Sequence, residues 1–194
     1  MARRPGEDLR GENDPEVGGE RLRKRDRNVN RMERSIRRQL VVHAGVRGAS
    51  ADTPLILTYM SIIKDIERIG DYAKNIWDMA AEGVDVSASS NRKGYELQAK
   101  RTCQLIDDTA RIFKDRDIEA ATQLLPTVDG WLDEHDLVVS ELLNSDLPSR
   151  EGVPLALFHR YVKRIHAHLM NVLTALVMPF DRLDYWDEAA LDRE

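Results

Sequence analysis

Between Leu55 and Ala80 apolar side chains recur in alternating steps of four and three, at Leu55, Tyr59, Ile62, Ile66, Ile69, Ala73, Ile76 and Ala80. That spacing follows the 3.6-residue turn of an α-helix and puts one continuous apolar stripe on a long amphipathic rod. Asp52-Thr53-Pro54 opens this helix with an N-cap acid and an early proline, and Gly83 stops it, so its predicted span is 52–82. Ahead of it, Asp14-Pro15-Glu16 gives a second helix opening, predicting residues 14–43, with Gly45 and Gly48-Ala49-Ser50 as breakers. A polar link containing Ser87, Ser89, Ser90 and Asn91 leads to a third predicted helix over 92–114. Asp117 caps a fourth over 117–144, and a turn over 147–152 precedes a fifth over 154–178, ended by Pro179. Helices this long, joined by short connections, predict an all-α fold built as a long antiparallel bundle.

The pattern also repeats. A shift of 96 residues carries Ile62, Ile66, Arg68, Ile69, Ala73, Asn75 and Ile76 onto Phe158, Val162, Arg164, Ile165, Leu169, Asn171 and Val172. A shift of 103 carries Asp14, Glu16, Asp26, Asn30 and Leu40 onto Asp117, Glu119, Asp129, Asp133 and Leu143. Apolar coincidences arise whenever two amphipathic helices are slid into phase, so the matching Asp, Glu, Arg and Asn positions carry the argument. The expected organisation is a polar segment at 1–13, a two-helix repeat at 14–86, a three-helix repeat at 87–185 and an acidic tail at 186–194.

Composition sharpens the class. The 194 residues are 42% hydrophobic and 6% aromatic, enough for one helical core, and no apolar run of transmembrane length or signal-peptide core is visible. One cysteine, Cys103, excludes an internal disulfide, and it reads as a packed small apolar side chain. A cytoplasmic chain is expected. Net charge is −5, wrong for a dedicated nucleic-acid binder, although residues 21–38 hold nine Lys/Arg and the last fourteen residues six Asp/Glu. Arg27, Arg31, Arg34 and Arg38 share one side of the first helix, but no stacking aromatics or helix-turn-helix spacing accompanies them, and the basic run reads as a solvated face. Trp77 and Trp131 read as packing anchors, and Trp186 as a residue folding back onto the bundle.

The chemistry-bearing feature is Glu67 and Asp71, two carboxylates one turn apart on the stripe-bearing helix. Like charges at that spacing cost a helix about 0.2–0.5 kcal/mol. A cation must compensate, either Lys64 or Lys74 in ordinary pairs or a metal ion held against a neighbouring helix. The segment from Lys64 to Ile76, Lys-Asp-Ile-Glu-Arg-Ile-Gly-Asp-Tyr-Ala-Lys-Asn-Ile, resembles the central signature of the PhoU family of phosphate-signalling proteins. Residues 26–33 are similar to that family's preceding helix and 113–117 to its repeat junction.

The resemblance implies a non-enzymatic helical adaptor with no catalytic residue. It would couple the ATPase of a phosphate-specific ABC transporter to a sensor histidine kinase and repress phosphate-starvation genes, touching the membrane only through those partners. It also implies carboxylate metal sites between helices: here Glu67 and Asp71 with Asp26 and Glu33, hard oxygen ligands suited to iron, manganese, magnesium or zinc. The second copy departs, with Lys163 and Ala167 where Glu67 and Asp71 stand in the first, so no metal is expected there, and a lysine ammonium could satisfy the remaining acids Asp129, Asp133 and Asp136. His166 and His168 point about 200° apart, so at most one could face that site, and each reads as a surface or interhelical histidine. The family's repeats have three helices and the first repeat here has two. The expectation is therefore either a homodimer covering the open groove or a start at Met1 that is internal to a longer chain. Rival readings are a structural or metal-binding bundle without a phosphate role, and a nucleic-acid-binding regulator. A ferritin-like enzyme is disfavoured, since no histidine follows a Glu by three residues.

Overall fold

A computed structural model describes residues 15–84 and 92–183. Expectations for the N-terminal polar segment, Asp14, the serine-rich link, the acidic tail and Trp186 lie outside those residues. The fold is all-α, with no strand among the described residues. Among the described residues five helices follow one another: α1 (Pro15–Arg47), α2 (Thr53–Ala81), α3 (Arg92–Asp115), α4 (Ile118–Leu143) and α5 (Ser149–Val177). Short 3₁₀ turns follow α1 and α5.

The caps explain most of the boundaries. The Asp52 carboxylate accepts the Leu55 N–H at 3.1 Å, and Asp117 accepts that of Ala120 at 3.0 Å, each satisfying a donor that the first turn leaves open. Two boundaries differ from the sequence expectation. α1 runs through Gly45 and stops only at Gly48, whose φ of +55° is the left-handed conformation that ends a helix. A lone helical glycine costs only about 1 kcal/mol, too little to break a long helix. α5 begins at Ser149 and absorbs Pro154, because Glu151 and Gly152 donate their N–H groups to the Pro148 carbonyl and close the first turn upstream of it. Pro179 does end α5, holding Met178 extended at ψ 146°.

α5 is the hub, packed against α2, α3 and α4. Its face of Ile165, Leu169, Met170 and Leu173 joins Leu105 and Ile112 of α3 and Ala121, Leu125, Val128 and Leu132 of α4 in one core. Ile69, Tyr72 and Ile76 of α2 close the core from the fourth side. The inward line of α2 is therefore Ile62 and Asp65, which are buried, with the partly buried Ile69, Tyr72 and Ile76, rotated from the expected stripe; Leu55 and Ile66 remain 45% and 39% exposed. α1 packs mainly on α2 and contributes no side chain to either core cluster among the described residues. Its N-terminal end is fixed by Trp77, whose indole packs against Gly18 and Gly19. A Cβ at Gly18 would come within 2.4 Å of the indole, so this close approach requires glycine. Trp77 is thus a packing anchor, as the sequence suggested.

Candidate functional site

α1 and α2 run together along a polar seam. Asp26 and Glu33 of α1 turn inward, with side chains only 15% and 18% exposed, toward Glu67, Asp71 and Lys74 of α2. The Lys74 ammonium sits between two carboxylates, 2.8 Å from Asp26 Oδ1 and 2.7 Å from Asp71 Oδ1. Asn30 donates to the other oxygen of Asp26 at 3.4 Å, and Arg37 pairs with Glu33 at 2.7 Å. Gly70 faces Asp26, leaving room for the aspartate to approach the α2 backbone.

Electrostatics single out one member. Burial raises the Glu67 carboxyl above the ordinary carboxylate range, and the charges of Asp71, Glu33 and Asp26 push it further, with Lys74 opposing them. Burial pulls Lys74 down, but its hydrogen bonds to Asp26 and Asp71 and their charges outweigh it and hold the ammonium protonated. The four acids expected as metal ligands are thus gathered on one seam, yet in this arrangement they do not fit an ion. A lysine ammonium occupies the space between two of them, a guanidinium is bound to a third, and among the described residues no three His, Cys, Asp or Glu side chains are grouped to hold a metal. Of the two lysines considered from sequence, Lys74 is the one seated between the acids.

The corresponding seam of α4 and α5 is built differently. Lys163, which stands where α2 has Glu67, bonds to Asp136, and Arg160 lies 4.0 Å from the same carboxylate. Glu134 pairs across to Arg101 of α3 at 2.7 Å, and the same guanidinium lies over Trp131. His166 and His168 are both buried, not at the surface, and diverge as their spacing requires. The first meets Thr102 of α3 through Nε2 at 2.9 Å; the second meets Asp65 of α2 through Nδ1 at 2.8 Å.

Two polar features were missed in the sequence. Asp65 is 2% exposed and receives Asn171 as well as His168, a buried knot between α2 and α5. Its signal was available: Asp65 interrupts the apolar line Ile62, Ile69, Tyr72, Ile76 at helical spacing. The second is the buried pair His135 and His159, 2.9 Å apart between their Nδ1 atoms, with the His166 ring tilted beside His135 at 5.3 Å between centroids. Burial holds all three neutral, pushing His135 down to about 3 and His166 to about 4. Cys103, expected to pack, is exposed on the outer side of α3.

Comparison with known proteins bears out the resemblance seen in the sequence. A family model described as the PhoU domain matches residues 11–80, which contain α1 and α2 up to the end of the carboxylate seam. The phosphate-specific transport system accessory proteins PhoU of Escherichia coli K12 and of Shigella flexneri are each 26% identical over 152 residues, covering 76% of this chain. The chain spans about 63% of the length of these relatives. No solved structure matches.

Proposed function

We propose that this chain is a non-enzymatic regulator of phosphate transport and phosphate-starvation signalling in the cytoplasm. In this reading it is an adaptor between the ATPase of a phosphate-specific ABC transporter and a sensor histidine kinase, built from two PhoU-like repeats, the first of two helices and the second of three. The observation that carries it is the coincidence of the family match with the α1–α2 hairpin, whose inward carboxylates line the seam between its helices. Support also comes from what those residues can do: bind, orient and hold charge at a helix–helix seam. No step of the adaptor role needs a metal, since Lys74 supplies the positive charge that two adjacent acids require. The seam sets how α1 lies on α2, and the outer faces of that hairpin are what a partner would meet. A homodimer formed over the open groove between α1 and α2, leaving the outer face of α1 free, is part of the same reading.

The test is alkaline-phosphatase activity in phosphate-rich medium, in cells deleted for this gene and complemented with wild type or with Glu67→Ala/Asp71→Ala. High activity in the deletion, returned to low by wild type and only partly by the variant, supports the role and its dependence on the seam. Low activity in every strain leaves a structural bundle without a phosphate function.

A further inference from the structure

Helix α1 separates its charges by face. From residue 21 to its end it has two carboxylates, Asp26 and Glu33, and both turn inward to Lys74 and Arg37. Lys24, Arg25, Arg27, Arg31, Arg34 and Arg38 are exposed on the remaining surface. α1 as a whole holds ten Lys/Arg against four Asp/Glu, so it is +6 in a chain of −5, and the rest of the molecule is −11. The same exposed surface ends in apolar residues. Val41 and Val42 lie three and four residues after Arg38, and Val46 one turn further; they are 64%, 58% and 80% exposed, and Met32 is 61% exposed. At its other end Glu20, Arg21, Arg23, Lys24 and Arg27 line a shallow hollow.

We propose that the outer face of α1 docks on an anionic lipid bilayer, with the arginine stripe on headgroup phosphates and Val42 and Val46 dipping into the interface. Three properties select this occupant. A helix of 33 residues is about 50 Å long, and its substantial packing is on α2, so it offers an extended edge to a flat surface. Arginine forks suit phosphate, and a cationic helix with apolar side chains beside the charges is the form that lies in a membrane interface. The described residues outside α1 carry a net −5 and stand behind it, away from the surface, whereas a nucleic acid wrapping the molecule would meet them, and α1 has no Phe, Tyr or Trp on which a base could stack. No helix among the described residues is long and apolar enough to cross a membrane, so the contact is peripheral. The proposal stands independently of the phosphate reading, and it replaces the expectation that membrane contact runs only through partners.

The experiment is co-sedimentation of the full chain with phosphatidylglycerol/phosphatidylcholine vesicles and with pure phosphatidylcholine vesicles, at several salt concentrations. Wild type should bind the anionic vesicles, weaken steeply as salt rises and leave the neutral ones unbound. Arg27→Glu/Arg34→Glu/Arg38→Glu should lose binding by roughly tenfold or more, with an unchanged far-ultraviolet circular dichroism spectrum. Val42→Asp/Val46→Asp should weaken binding as well. The same number of charge reversals at Lys100, Lys114 and Arg150, on other helices, should leave binding intact. Absence of binding by wild type, equal binding to neutral vesicles, or equal loss in the control variant overturns the proposal. So does duplex DNA binding of matching strength that the arginine variant abolishes.

Discussion

The hairpins α1–α2 and α4–α5 share a helical pattern and spend it in opposite ways. In α4–α5 the seam is the core: Leu125, Val128, Leu132, Ile165, Leu169 and Leu173 are at most 5% exposed, and among the polar side chains buried with them are His135 and His166, held neutral by burial. In α1–α2 the seam is charged and reachable by water, and α1 is held mainly by α2, whose Trp77 clamps its N-terminal end. A hairpin with few buried apolar contacts opens at lower cost than one inside the core. The second hairpin therefore serves as scaffold, while the first is the part whose geometry charge can adjust.

The largest expected effect separates the two directly. Leu173→Ala removes a 0%-exposed side chain from the α3–α4–α5 core and should cost about 2–5 kcal/mol in urea unfolding. Val46→Ala, on the outer side of α1 and 80% exposed, should change stability by less than about 0.5 kcal/mol. Equal losses would mean that α1 is buried in solution by a contact between copies.

Acid comes next. His135 and His166 have pKa values depressed by burial to about 3 and about 4. Above their ordinary value of 6.5 both states are neutral. Below it the unfolded chain takes up protons that the folded one refuses, so stability falls as pH drops from 6.5 toward 4, by roughly 1.4 kcal/mol per pH unit for each such histidine. The double variant His135→Leu/His159→Leu, which removes both members of the hydrogen-bonded pair, should flatten the part of that slope they contribute. A melting-temperature series from pH 7 to pH 4 is sufficient, and an unchanged slope would place the acid sensitivity elsewhere.

How much of this was legible in the sequence follows from what periodicity measures. Asp52 and Asp117 mark helix starts because a cap needs only local residues, and both were read correctly. The rotated inward line of α2 was not legible, because Leu55 and Ile66 fall on the same helical period as Ile62 and Ile69, and only the position of α5 decides which of them are covered. Pro154 and Gly45 were read as boundaries on local preference, which neighbouring turns overrode. The acids of the seam were found because Glu67 and Asp71 share a face on one helix, and Asp26 and Glu33 were added by resemblance. That Lys74 would settle between Asp26 and Asp71 needed the distance from α1 to α2. His135 and His159 come from different helices 24 residues apart, and nothing in either sequence neighbourhood announces that they meet.

The seam itself yields smaller effects. Lys74→Met leaves Asp26 and Asp71 facing Glu67 without their shared ammonium, and should cost about 1 kcal/mol, since the pairs are partly solvated. It should also create affinity for a hard divalent cation: titration with Mn²⁺ is expected to show binding in the variant and much weaker binding in wild type. Tight, stoichiometric Mn²⁺ in wild type would show that Lys74 swings aside and that the acids ligate an ion after all. Lys163→Met on the other hairpin is the matched control. It releases Asp136, which keeps the Arg160 guanidinium 4.0 Å away to neutralise it, so no metal affinity should appear.

Glu67→Gln is the finest test of the comparison. Among the α1–α2 acids Glu67 has its carboxyl raised, first by burial and then by Asp71, Glu33 and Asp26. A carboxylate whose folded pKa lies above its unfolded value favours folding only where it can hold a proton, and that advantage disappears as pH rises through the folded pKa. At neutral pH the charge is therefore a burden on the hairpin. Glutamine keeps the shape and removes the repulsion, so Glu67→Gln should raise stability at pH 7 by about 0.2–0.5 kcal/mol, the scale of a like-charge pair one turn apart. Below the ordinary carboxylate range, where Glu67 is protonated in both states, wild type and variant should converge. A gain at pH 7 that persists unchanged in acid would have to come from packing or helix propensity, and the seam would then lose its claim to be set by charge.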